Sequence, residues 1–62
     1  MTELYLEINL YEHGLRLEKT IEEGSFYITD RGGSWIHVIG SLELCSKWFD
    51  RYLLYLKKEI EA

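Results

Sequence analysis

The hydrophobic pattern changes its period once along this chain of 62 residues, at Gly40. Before Gly40, apolar and polar residues alternate with a period of two, which is typical of strands with one buried face. After Gly40, residues 42–60 contain neither proline nor glycine, and their apolar members recur at helical spacing. The sequence therefore predicts a β-rich front segment followed by one long helix.

The front segment predicts four strands. Alternate positions in the first of them are apolar, which predicts that one set of side chains is buried: Leu4, Leu6, Ile8 and Leu10. Two-residue turns at His13-Gly14 and Glu23-Gly24, and a longer turn over residues 30–34, separate it from strands near 15–21, 25–30 and 35–39. The pattern therefore indicates an antiparallel meander.

Turn length decides which residues pair, because directly opposed residues of an antiparallel pair share a face. A two-residue turn at Glu23-Gly24 places Ile21 opposite Phe26 and Lys19 opposite Ile28. The register of the second and third strands follows from this turn.

The orientation of the fourth strand has two alternatives. A loop with an even number of residues turns Trp35, His37 and Ile39 inward, and a three-residue loop turns Ile36 and Val38 inward. The three-residue loop is slightly favoured, because it gives the core a compact β-branched pair.

The helix has clear start and end signals. Ser41 is a good N-cap, Glu43 lies in the first turn, and Lys57 and Lys58 lie near the C-terminus, where they complement the helix dipole. The expected fold is α+β: one domain over residues 1–62, with a four-stranded meander over 1–39 and a helix over 41–61 packed on one face of the sheet.

The helix carries more apolar surface than one sheet face requires. The stripe expected to face the sheet consists of Leu42, Cys45, Phe49, Tyr52, Leu53, Leu56 and Ile60. Beside it lies a second apolar wing, Leu44, Trp48 and Tyr55, which either folds over the sheet edge or mediates self-association. We favour a homodimer, because a 7.4 kDa chain has a thin core and its one cysteine excludes an internal disulfide.

Charge is concentrated in the front half of the chain. The net charge is −4, and residues 1–30 carry seven acidic against two basic side chains. This balance argues against nucleic-acid binding, which needs clustered cations. It predicts an acidic, tyrosine-rich open sheet face that binds a partner protein with a basic surface, through Glu3, Tyr5, Glu7, Tyr11, Glu18, Glu22 and Tyr27.

No pattern of catalytic or metal-binding residues is present in the sequence. His13, His37 and Cys45 belong to no motif with ligand or nucleophile spacing, and the periodicity places Cys45 toward the sheet as a buried, inert thiol. We therefore expect a protein that is not an enzyme and has no cofactor and no metal.

The expected function is that of a small acidic protein–protein interaction module. A more specific hypothesis is a phage or mobile-element inhibitor that blocks a host nucleic-acid enzyme by occupying its cationic groove. The alternative is a small nucleic-acid-binding domain that uses the aromatic open sheet face. Residues 1–5 lack the basic and apolar pattern of a signal peptide, no apolar run is long enough to span a membrane, and the one cysteine has no partner for an internal disulfide. We therefore expect a cytoplasmic protein without membrane contact.

Overall fold

The computed structural model describes residues 2–61, including the side chains of residues 2–59. Its elements are α1 (Glu3–Glu12), β1 (Leu15–Lys19), β2 (Phe26–Asp30), β3 (Ile36–Gly40) and α2 (Leu42–Glu61). The strands form one antiparallel sheet in the order β1-β2-β3. The α+β class and the C-terminal helix are confirmed. The four-stranded meander is wrong, because the first segment is a helix. Expectations for Met1, Ala62 and the Ile60 side chain lie outside the described residues.

Local signals at both ends define α1. At its start, the Thr2 hydroxyl accepts a hydrogen bond from the Tyr5 amide at 3.2 Å. This is the role of an N-cap residue, which satisfies an amide left unpaired in the first turn. At its end, Gly14 has φ 76°, and its amide donates to the Tyr11 carbonyl at 3.1 Å. A glycine in the left-handed region just beyond a helix is a common terminator.

The helical conformation divides the four apolar residues expected in the first strand into two pairs. Leu6 and Leu10 are one turn apart and fully buried, whereas Leu4 and Ile8 are exposed on the other side of the helix. Apolar residues that alternate with a period of two also form pairs at i and i+4, and the members of such a pair lie on the same side of a helix. The same pattern is therefore compatible with a helix that buries one pair and exposes the other. The strand prediction was wrong for this reason.

The first hairpin has a register two residues away from the expected one. Lys19 lies opposite Phe26 and Leu17 opposite Ile28, so Ile21 is fully exposed in the connecting loop. The loop closes earlier because the Thr20 amide donates to the Ser25 carbonyl at 3.0 Å. A shift of two residues preserves the faces, so Leu17, Phe26 and Ile28 still face the core.

A bulge decides the orientation of β3. Ile28 pairs with Val38 and Thr29 with Ile36, so one extra residue, His37, lies between the two pairs. Val38 packs against the core, as the favoured alternative predicted, but Ile36 is exposed, contrary to it. Neither the even loop nor the three-residue loop therefore predicts the orientation of all the side chains in this strand.

Both helices lie on one face of the sheet. A single buried cluster joins residues of α1, β1, β2 and α2, and Val38 of β3 packs against it; the cluster consists of Leu6, Leu10, Leu15, Phe26, Ile28, Cys45 and Phe49. The expected N-cap of α2 is confirmed, because the Ser41 hydroxyl accepts from the Leu44 amide at 3.1 Å. Among the described residues, no element covers the opposite face of the sheet.

Alanine substitutions in α1 separate the helix from a strand. We expect Leu6→Ala and Leu10→Ala to lower the free energy of unfolding by about 2–5 kcal/mol, because each leaves a cavity in the core. Leu4→Ala and Ile8→Ala should change it by less than about 0.5 kcal/mol, because both side chains are exposed. Urea denaturation followed by tryptophan fluorescence measures the difference. Comparable losses in all four variants would contradict the helix.

Candidate functional site

The residues expected to form an acidic sheet face are not on one face of the sheet. Four of them, Glu3, Tyr5, Glu7 and Tyr11, belong to α1. Only Glu18 and Tyr27 lie on the sheet, directly opposite one another, and Glu22 lies in the loop between β1 and β2. The structure therefore moves most of the acidic and aromatic residues to the outside of a helix.

The outward side of α1 carries an exposed apolar stripe. Leu4, Ile8 and Tyr11 are 65%, 50% and 62% exposed, and they follow the i, i+4, i+7 spacing of one helix face. We call this surface the α1 outer face, and define it by Leu4, Tyr5, Glu7, Ile8, Tyr11 and Glu12. Leu4 and Ile8 were not predicted to be surface residues, because a strand would have buried both.

The charge of α1 has one sign. The helix contains Glu3, Glu7 and Glu12 and no lysine or arginine. Glu3 lies 3.6 Å from the Lys19 ammonium group at the edge of the sheet, whereas Glu7 and Glu12 are exposed on the outward side. The α1 outer face is therefore an apolar stripe with carboxylates along it.

The end of the α1 outer face is fixed by Arg31. The Arg31 guanidinium lies 5.2 Å from the centre of the Tyr11 ring and donates to the Tyr11 carbonyl at 3.4 Å. A cation in this position complements the dipole at the C-terminus of a helix and stacks on an aromatic ring. These contacts tie the end of α1 to the turn between β2 and β3.

The three residues expected to mediate self-association have different environments. Trp48 is half-buried, and its ring stacks on that of Tyr52 and lies tilted against that of His37, with ring centres 5.3 Å apart in both pairs. Leu44 is exposed but lies so close to Gly40 that a Cβ at position 40 would collide with it. Leu44 and Trp48 therefore form the flank of α2 that lies beside β3.

The third of these residues, Tyr55, lies further along α2. Its hydroxyl donates to Glu59 at 2.9 Å, and this hydrogen bond together with the nearby negative charge raises the pKa of Tyr55. Twenty helical residues span about 30 Å, whereas a five-residue strand spans about 17 Å. The C-terminal half of α2 therefore extends past the sheet, and the longest dimension of the molecule is 40 Å.

The groups with potential chemistry are separate and engaged in structural contacts. His13 lies edge-on to Phe49 at 5.4 Å and its Nδ1 is 2.9 Å from the Asn9 carbonyl, while the His37 ring lies tilted against that of Trp48. Within the described part of the chain, no three histidine, cysteine, aspartate or glutamate side chains are grouped as metal ligands would be. Nor does any described helix have the length and apolarity needed to cross a membrane.

Comparisons with other proteins found no match to this chain among protein-family models, curated proteins or solved structures.

Cys45 provides a chemical test of the core. Its side chain is fully buried, and burial raises the pKa of the Cys45 thiol. We expect an aromatic disulfide reagent at pH 8 to label the native protein at least about 100-fold more slowly than the urea-unfolded protein, because labelling requires opening of the core. Equal labelling rates would place Cys45 at the surface.

The raised pKa of Cys45 also predicts how stability depends on pH. Above the unfolded thiol pKa of about 8.5, the unfolded state loses its proton first, so the free energy of unfolding should fall as pH rises.

Proposed function

We propose that this protein is a non-enzymatic interaction module that binds another protein through the α1 outer face. The partner it fits has an apolar groove with a basic rim. The observation that carries the proposal is the exposure of Leu4, Ile8 and Tyr11 along a helix whose only charges are negative.

The apolar stripe supports binding in a groove. Helices that dock into protein grooves present apolar anchors at i, i+4 and i+7, which is the spacing of Leu4, Ile8 and Tyr11. Large exposed apolar side chains with a charged border are typical of protein-binding surfaces. The inward side of α1 is held by Leu6 and Leu10, so the outward side is presented on a preformed helix and little ordering entropy is lost on binding.

The charge supports a partner of opposite sign. Glu7 and Glu12 lie beside the stripe, and the whole chain has a net charge of −4. Such a surface steers toward cationic grooves and accelerates the encounter with them. Nucleic-acid enzymes carry grooves of this kind, so we propose inhibition of such an enzyme, by a phage or mobile-element protein, as the specific role. The buried free thiol of Cys45 fits a cytoplasmic setting.

Nucleic-acid binding by the open sheet face has less support. That alternative requires several tyrosines on the sheet. Of the three tyrosines expected there, Tyr5 and Tyr11 belong to α1, and only Tyr27 lies on the sheet. On the same face, Arg16 is engaged in an ion pair with Glu18. We expect no binding of labelled single-stranded or duplex oligonucleotides in fluorescence anisotropy at low salt.

Affinity capture with matched variants tests the proposed function. Immobilised protein is exposed to a lysate of its source cells, and the retained proteins are quantified by mass spectrometry. We expect the wild type to retain a basic protein. The retained amount of this protein should be at least tenfold lower with Ile8→Ser, because Ile8 is the central anchor of the stripe. The double variant Glu7→Lys/Glu12→Lys should also lower the retained amount, and the decrease should be larger at low salt than at high salt, because salt screens the interaction of these charges with the partner.

The control is Leu54→Ser, an equally polar change at an exposed apolar position on α2. This variant should retain the partner as the wild type does. A partner that is retained equally by the wild type and Ile8→Ser, or lost equally with Leu54→Ser, would show that the α1 outer face is not the binding surface.

A further inference from the structure

The two edges of the sheet differ in how they are protected from pairing with another strand. β1 carries Arg16, Glu18 and Lys19, and charged side chains on an edge strand discourage pairing. β3 carries no charged residue, and residues 32–42 contain no aspartate, glutamate, lysine or arginine. The edge at β3 therefore lacks protection by charge, and the bulge at His37 leaves Val38, Ile39 and Gly40 as its regular part.

Large apolar side chains are exposed along this edge. Trp35, Ile36 and Ile39 are 68%, 52% and 57% exposed. The register places Ile39 beside Tyr27 and Ile36 beside Thr29, on the face of the sheet away from the helices. An exposed, uncharged and apolar edge strand is a template for pairing with another chain.

The helix side of the same edge is also apolar. Leu44 lies over Gly40 at the end of β3, and the Trp48 ring contacts the His37 ring in a tilted arrangement with the ring centres 5.3 Å apart. The flank of α2 defined by Leu44 and Trp48 thus borders β3 from the other face. A strand added to this edge would contact apolar groups on both sides of the sheet.

We propose that β3 pairs antiparallel with β3 of a second copy of this chain, so that two molecules form one continuous six-stranded sheet. A two-fold axis perpendicular to the sheet makes two identical strands antiparallel, and it brings the two Leu44 and Trp48 flanks together. This interface uses a surface distinct from the α1 outer face, and so goes beyond the function proposed above.

The charge distribution identifies the occupant as a second copy. With a net charge of −4, and with three glutamates and no lysine or arginine on α1, two copies repel each other where α1 surfaces meet. At β3 they bring no like charges together, because neither strand has any. Identical uncharged strands are self-complementary in backbone hydrogen bonding as well.

The size of the surface predicts a weak dimer. Trp35, Ile36 and Ile39 offer on the order of 300 Å² of exposed apolar surface per molecule. With the strand backbone and the α2 flank, the total area buried in the dimer is about 1,000 Å², near the lower limit for specific interfaces. We therefore expect a dissociation constant of about 1–100 μM.

Sedimentation velocity over a range of concentrations, up to about 1 mM, tests the proposal. We expect the wild type to change from a monomer to a species of twice 7.4 kDa, and Ile39→Lys to weaken this association at least tenfold. Ile8→Lys is the matched control, with the same chemical change at an equally exposed isoleucine of α1, and it should dimerise as the wild type does. Circular dichroism verifies that both variants are folded.

Hydrogen exchange supplies the readout that is specific to strand pairing. Amides in β3 should exchange more slowly at high than at low protein concentration, and amides in β1 should not change. A protein that stays monomeric at 1 mM would overturn the proposal. So would a dimer that Ile39→Lys leaves intact, or one whose formation protects α2 but not β3.

Discussion

Burial of Leu6 and Leu10 against the sheet is the interaction on which the rest of the structure depends. These two side chains join Ile28 and Phe49 in the single buried cluster and hold α1 beside α2 on the same face. A chain of 62 residues has no second core, no internal disulfide and no metal cluster among its described residues. The same packing turns Leu4 and Ile8 outward, so the contact that stabilises the fold also creates the α1 outer face.

The surfaces left after folding differ in charge, and for this reason we propose different partners for them. The α1 outer face combines an apolar stripe with carboxylates, which suits a basic groove on another protein and opposes a second copy. The β3 edge has exposed apolar side chains and no charge, which suits an identical strand. In the proposed dimer, one α1 outer face would remain available on each molecule, so the two interactions are compatible.

Several features were predictable from local sequence, and others depended on tertiary context. Ser41 and the glycine-free stretch after it predicted α2, and helical periodicity predicted that Cys45 is buried; the structure confirms both. The alternation of Leu4, Leu6, Ile8 and Leu10 fits a strand and a helix equally, and the signals that distinguish them were the capping residues Thr2 and Gly14. The bulge in β3 has no local signal, so the combination of an inward Val38 with an exposed Ile36 could not be predicted.

Nuclear magnetic resonance of residues 3–12 tests the central claim most directly, that this segment is a helix with an inward and an outward side. The structure predicts downfield Cα secondary shifts over Glu3–Glu12, sequential amide–amide contacts, and side-chain contacts from Leu6 and Leu10 to other residues of the buried cluster, with none from Leu4 or Ile8. Upfield Cα shifts, together with cross-strand contacts between this segment and β1, would contradict the helix and with it the α1 outer face.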